Sequence, residues 1–165
     1  MKPVSMLRSG IAVLCGGFCG SITRYLLGLL IQSYLGKGWP YDILLVNITG
    51  ACALALITVL AEARFLVGPT LRLFINVGFL GAYTTFSSLA LGDYQLFASG
   101  QVLPALLYFF ASLWGGVLAV MLGDWLGQRL VRKTRRAAVP LPAAAKPVPV
   151  GMDNPASEVD DVFSK

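Results

Sequence analysis

The chain has 165 residues, of which 56% are apolar and only 13% are charged, and its formal net charge at pH 7 is +5. Soluble domains carry about 25% charged residues, so this composition excludes an ordinary soluble domain. The chain also contains no histidine, the side chain that most often carries protons in active sites near neutral pH. The composition is therefore typical of a membrane protein and not of an enzyme.

Four apolar windows lie at about residues 10–32, 42–62, 71–97 and 102–127. Each is long enough to cross a hydrocarbon core, which requires about 20 helical residues. Prolines at positions 40, 69 and 104 stand just before or at the start of a window, where a missing N–H does little harm. We therefore predict an all-α membrane protein with four transmembrane helices, joined by short connections, within residues 10–130.

The two flanks differ from this domain in composition. Residues 1–9 form a short N-terminal segment. At the other end, a basic run that ends at Arg136 is followed by five of the nine prolines, between Pro140 and Pro155. Such a segment cannot bury enough apolar surface to fold, so residues 131–165 are predicted to be a disordered tail.

The first window contains the one charge deep within a span, Arg24. A charge there costs about 2.5 kcal/mol or more, and glycines at 16, 20 and 28 share its helix face. Arg24 could be a fixed positive charge that attracts an anion to a vestibule. It could equally extend to a headgroup or bind backbone carbonyls, and the sequence leaves both interpretations open.

Polar groups also interrupt the other windows. Asn47, in the second, could line a path with its N–H donors or link two helices. In the third, the hydroxyl-rich run at residues 81–88 predicts an interrupted helix near mid-membrane, where protein or water must satisfy the freed backbone groups. In the fourth, Tyr108 and Ser112 begin a stripe of small and polar residues that could serve packing or a pathway.

The residues that most transport and enzyme mechanisms require are missing from the spans. The acidic residues lie toward window ends or in the tail, so no carboxylate stands at the midplane for proton coupling. No nucleophile with a base, no phosphate-binding loop and no cluster of metal ligands is present. Because the remaining polar groups are mostly N–H and O–H donors, they favour an anion as the transported species.

Three motifs resemble the small bacterial fluoride channels called Fluc or CrcB: GGFCG at residues 16–20 followed by Arg24 and Tyr25, VNITG at residues 46–50, and GFLGAYTTFS at residues 78–87. The resemblance covers about residues 10–128. It implies a dual-topology homodimer in the bacterial inner membrane, in which two antiparallel subunits form two fluoride pores for passive export. It also implies a structural sodium ion at the dimer centre, contact with lipid, and no nucleic-acid partner.

The resemblance assigns roles to particular residues. The backbone carbonyls of Gly81 and Thr84 from both subunits would hold the sodium ion, and Arg24 would charge the vestibule. The fluoride pore would be lined by Asn47, Thr85, Phe86, Leu89, Tyr108 and Ser112.

Two positions depart from the family pattern. Leu89 stands where a second phenylalanine is expected, and Gly116 stands where a second track hydroxyl is expected. A leucine lacks the positive ring edge of a phenylalanine, so we expect weaker stabilisation of fluoride at Leu89.

Two other assignments are compatible with four short spans. A small multidrug exporter needs a glutamate in its first span, and residues 10–32 contain none; a structural subunit is the other alternative. The excess of lysine and arginine on the side of the termini predicts a fixed orientation. This leaves either a homodimer inserted both ways, which we favour, or a heterodimer with an oppositely oriented partner protein.

Overall fold

The structure is a computed structural model that describes residues 5–63 and 68–138, with side chains up to residue 134. The described part of the chain consists of helices and short connections between them. Its elements are α1 (Met6–Leu35), α2 (Tyr41–Glu62), α3 (Pro69–Arg72), a π-helical segment (Leu73–Leu80), α4 (Gly81–Tyr83), α5 (Phe86–Ala98) and α6 (Val102–Ala138). The predicted all-α class is confirmed.

Four stretches are long and apolar enough to cross a membrane: Met6–Leu35, Tyr41–Glu62, Pro69–Ala98 and Val102–Thr134. They correspond one to one to the four predicted windows. Large apolar side chains such as Leu7, Leu103 and Met121 are more than half exposed on this single chain, as expected where lipid is the surrounding solvent. The prediction of four membrane-spanning helices is confirmed.

The helix ends differ from the predicted windows at both termini of the domain. α1 begins at Met6 and not near residue 10, because the Ser5 side chain accepts a hydrogen bond from the Arg8 N–H at 3.4 Å and caps the helix. α6 continues to Ala138, so the first residues assigned to the tail are helical. No proline interrupts the sequence between Pro104 and Pro140. The predicted tail from residue 139 onward lies outside the described residues.

Two helix pairs form most of the packing. α2 runs along α6, with Ile48 against Gly115 and Val59 against Gly127. α1 packs on the π-helical segment, where a Cβ at Gly16 would lie 2.9 Å from the Phe79 nitrogen. Small residues at such contacts let two backbones approach closely in a membrane.

The third span changes its winding along its length. It starts as α3, becomes π-helical at Leu73, and is α-helical again at Gly81. The helical backbone stops at Tyr83 and resumes at Phe86, because Thr84 (φ −79°, ψ 155°) and Thr85 (φ −153°, ψ 121°) are extended. π-helical segments are rare and often occur at functional sites, so this span is the natural place to look for one.

We expect Gly20→Ala to destabilise the fold by about 1–3 kcal/mol, the usual cost of overpacking. A Cβ at Gly20 would lie 2.9 Å from the Phe79 carbonyl carbon, which is backbone and cannot rotate away. Thermal unfolding in detergent, followed by circular dichroism, measures the effect. Gly10→Ala is the matched control on the same helix, because a Cβ there would meet nothing within 4 Å. Equal melting temperatures for the two variants would contradict the close approach of these backbones.

Candidate functional site

The side chain of Asn47 on α2 is hydrogen-bonded to the backbone of Thr85, one of the two extended residues. Its side-chain Nδ2 donates to the Thr85 carbonyl at 2.9 Å, and the Thr85 N–H donates to its Oδ1 at 2.8 Å. The Asn47 amide therefore pairs both backbone groups of Thr85, which in an unbroken helix would be paired with residues one turn away. Of the two roles that the sequence left open for Asn47, the structure shows the link between helices; its predicted role in a pore stays a prediction.

The hydroxyl groups next to this pair form a second set of contacts. Thr85 Oγ1 accepts from the Ser88 N–H at 3.2 Å and so caps α5. The same oxygen lies 3.1 Å from Ser87 Oγ and donates to Ser88 Oγ at 3.2 Å. On the other side of the break, Tyr83 Oη lies 2.9 Å from Thr49 Oγ1. The break is thus surrounded by hydroxyls of the second and third spans.

The backbone carbonyl groups beside the break are only partly hydrogen-bonded. Leu80 O accepts from the Thr84 N–H and from Thr84 Oγ1, each at 3.0 Å. Among the described residues, no hydrogen bond is donated to the carbonyl oxygen of Gly81 or of Thr84. Gly81 is also exposed on this single chain, so its backbone is open to a partner.

Three of the predicted pore residues line one groove on the side of the molecule. This lateral groove, of about 480 Å³, is lined by Phe86 and Leu89 from α5, by Ser112 and Gly116 from α6, and by other apolar side chains. It also reaches Ala51, one turn after Asn47 on α2. The two positions that depart from the family pattern therefore face the same space as Phe86 and Ser112.

Tyr108 and Ser112, one turn apart on α6, both carry a buried hydroxyl. Tyr108 has 0% of its surface exposed, and its ring meets the Trp39 ring edge-on with centroids 5.3 Å apart. Neither its Oη nor the Ser112 Oγ has a hydrogen-bond partner in the described part of the chain. Buried hydroxyls without a partner are uncommon in proteins, so these two point to a ligand or water that completes them.

The remaining predicted position, Arg24, is half-buried on α1. Within the described ranges, its guanidinium makes no ion pair and no hydrogen bond to another side chain. The structure brings Arg24 together with none of the pore residues, and both of its interpretations stay open.

One feature of the site was missed by the sequence analysis. Asp42, which was treated only as a residue near a window end, is buried and accepts a hydrogen bond from Gln32 Nε2 at 2.7 Å. The available signal was its position as an acidic residue in the first turn of a largely apolar helix. Trp39, in the loop before it, donates from Nε1 to the Pro104 carbonyl at 3.1 Å and fixes the loop on α6.

Comparison with known proteins gives consistent results over the four spans. A family model described as "CrcB-like protein, Camphor Resistance (CrcB)" matches residues 11–124. A Thermus thermophilus protein named "Fluoride-specific ion channel FluC" is 44% identical over 119 residues, which cover 72% of this chain and 94% of the relative. The protein of that name from Synechocystis sp. is 38% identical over 124 residues, which cover 75% of this chain and 95% of the relative.

We expect Asn47→Ala to be the more destabilising of two asparagine substitutions in the spans. It leaves the N–H and the carbonyl of Thr85 unpaired, and each buried group without a partner costs about 1–3 kcal/mol. Asn76→Ala is the matched control, because Asn76 makes a single bond of 3.2 Å, to Thr58. Thermal unfolding in detergent compares the two. A smaller loss of stability for Asn47→Ala than for Asn76→Ala would show that Asn47 does not hold the break.

Proposed function

The chain belongs to the CrcB family, and we propose that it conducts fluoride passively across a bacterial inner membrane. The predicted family is confirmed. Since its curated relatives are named as ion channels, the prediction that the chain is not an enzyme is confirmed as well. Fluoride that crosses a membrane as the neutral acid ionises in the less acidic cytoplasm, and a passive channel would let the ion leave.

The observation that carries this proposal is the pair of unpartnered hydroxyls on α6. Tyr108 Oη and Ser112 Oγ are buried, lack partners in the described residues, and are one helical turn apart. A bare anion in low dielectric is costly unless donors replace its water. A hydroxyl can rotate its proton toward an anion, so these two groups would serve as successive donors along a track.

An aromatic ring on the α5 side of the lateral groove would make a second kind of contact with the anion. Phe86 could present its ring edge, which carries partial positive charge, to the anion. Its side chain is 79% exposed on the single chain, so another surface is needed to enclose the pathway that it lines. Leu89 in the same groove has no such edge. The proposed pore therefore offers the anion fewer aromatic ring edges than the family pattern predicts.

That missing surface is supplied, in our proposal, by a second copy of the chain in antiparallel orientation. Two copies that meet at the exposed Gly81 would bring together the free carbonyls of Gly81 and Thr84 from both. Backbone carbonyls of unwound membrane helices are suitable ligands for sodium. The donor set fits the predicted structural sodium ion, whose positive charge would offset the carbonyl dipoles of the two helix ends.

Fluoride efflux from proteoliposomes, measured with a fluoride electrode, tests the function. We expect wild-type protein to release fluoride and to retain chloride. Ser112→Ala should slow fluoride release by about tenfold, because a hydrogen bond to a charged group contributes about 1.5–3 kcal/mol. Leu89→Phe should accelerate it by adding a ring edge to the lateral groove.

Ser33→Ala is the matched control for the hydroxyl on α6. The Ser33 hydroxyl is exposed and donates to the Leu30 carbonyl of its own helix at 2.7 Å, so fluoride release should not change. Wild-type vesicles that retain fluoride would remove the channel assignment. Equal effects of the two alanine substitutions would remove Ser112 from the pathway.

The antiparallel homodimer predicts that the chain inserts in both orientations. Replacing Cys15, Cys19 and Cys52 by alanine and introducing Lys37→Cys in the exposed loop between α1 and α2 gives a single reporter thiol. A maleimide that does not cross membranes should label about half of this thiol in intact cells and all of it after lysis. Labelling of none or all of it in intact cells would contradict the homodimer and favour a heterodimer with an oppositely oriented protein.

A further inference from the structure

A second groove lies at the end of the bundle where α1 finishes and α2 begins. This end groove has a volume of about 400 Å³ and is lined by polar groups of several elements, among them Gln32, Lys37, Asp42, Ser88 and Gln95. It differs from the lateral groove, whose lining is almost wholly apolar. A polar space at one end of a membrane bundle is suited to a hydrated ion.

Asp42 is the distinctive group of the end groove. In the part of the chain that the structure describes, it is the one charged side chain that is buried, with 9% of its surface exposed. Gln32 on α1 donates to its Oδ2 at 2.7 Å. A Cβ at Gly28 would lie 3.6 Å from the same oxygen, so the carboxylate rests against the α1 backbone between two turns. A fixed position and low exposure mean that solvent screens its charge weakly.

Side-chain contacts connect the end groove with residues of the proposed fluoride pathway. Ser88 lines the groove, and its Oγ accepts the hydrogen bond from Thr85 Oγ1, which belongs to the residue held by Asn47. The ring of Tyr108, which carries the first hydroxyl of the proposed track, borders the same groove: Gly92 lines the groove, and a Cβ at Gly92 would lie 3.5 Å from the Tyr108 ring. An ion that moves from the end groove to the hydroxyls therefore passes through the field of Asp42.

We propose that Asp42 limits the entry of fluoride from the end groove, because its carboxylate repels the anion and lowers the number of ions that reach the track. This inference rests on the proposed function. Its positive counterpart in the same groove, Lys37, is exposed and solvated, so it compensates the buried charge incompletely. A carboxylate with a merely structural part, as an acidic group in the first turn of α2, would leave ion flux unchanged in folded protein.

The test is fluoride efflux from proteoliposomes loaded at low protein density, so that each vesicle contains at most one channel. Asp42→Asn keeps the size of the side chain and an oxygen that can accept from Gln32, and it removes the charge. We expect fluoride release to rise by about tenfold or more, the order of the effect that one unit charge exerts at about 10 Å in an effective dielectric near 20.

Asp124→Asn is the matched control. Asp124 on α6 also accepts a hydrogen bond from a glutamine, Gln128 Nε2 at 2.8 Å, but it does not line the end groove. Its substitution changes net charge by the same amount and should leave fluoride release unchanged. An equal rise in both variants would show an effect of net charge alone and overturn the inference.

Gln95→Lys keeps the inference falsifiable if Asp42→Asn does not yield folded protein. Gln95 is exposed and lines the end groove, so a lysine there adds positive charge close to Asp42 without disturbing the core. We expect faster fluoride release. If Gln95→Lys and any folded Asp42→Asn release fluoride at the wild-type rate, this inference is overturned and the channel assignment stays intact. A wild-type protein that releases no fluoride would instead overturn the proposed function.

Discussion

The paired hydrogen bonds between the Asn47 amide and the Thr85 backbone are the interaction on which the rest of the described structure depends. A backbone that leaves the helix inside a membrane must find partners for its N–H and C=O groups, because lipid supplies none. Asn47 supplies both from a neighbouring helix. With the break held in this way, α5 can start at a fixed angle and carry Phe86 to one side. The carbonyls on the other side of the break are left free for another ligand.

This arrangement separates two kinds of polar group within a short length of chain. The free carbonyl oxygens of Gly81 and Thr84 lie before and at the start of the break, and hydroxyl donors lie after it and on α6. Acceptors suit a cation and donors suit an anion, so in the proposed function one interruption would serve a structural ion and a transported ion of opposite charge. In the proposed function the cation would use the carbonyl oxygens and the anion would use the hydroxyl protons, so the two ions would occupy different places.

The elements with strong sequence signals could be predicted, and those that depend on tertiary contacts could not. The length of the apolar windows predicts the four spans, and the hydroxyl-rich run predicts an irregular backbone within residues 81–88. The partner of Asn47 could not be predicted, because an amide is equally suited to a pore and to a helix link until the neighbouring backbone is placed. Asp42 was missed for a related reason. Its position in the sequence indicates a helix start, and its burial follows only from how α1 packs beside α2.

The length of α6 has a consequence for the shape of any assembly. A helix of 37 residues is about 55 Å long, and a hydrocarbon core is about 30 Å thick. Because Val102 follows directly on the short loop after α5, the surplus lies at the C-terminal end, with Arg129, Arg132 and Lys133 on it. In an antiparallel pair, one such basic projection would stand on each side of the bilayer. The particle would then have the same outline from either face, and anionic lipids of both leaflets would meet an equivalent surface.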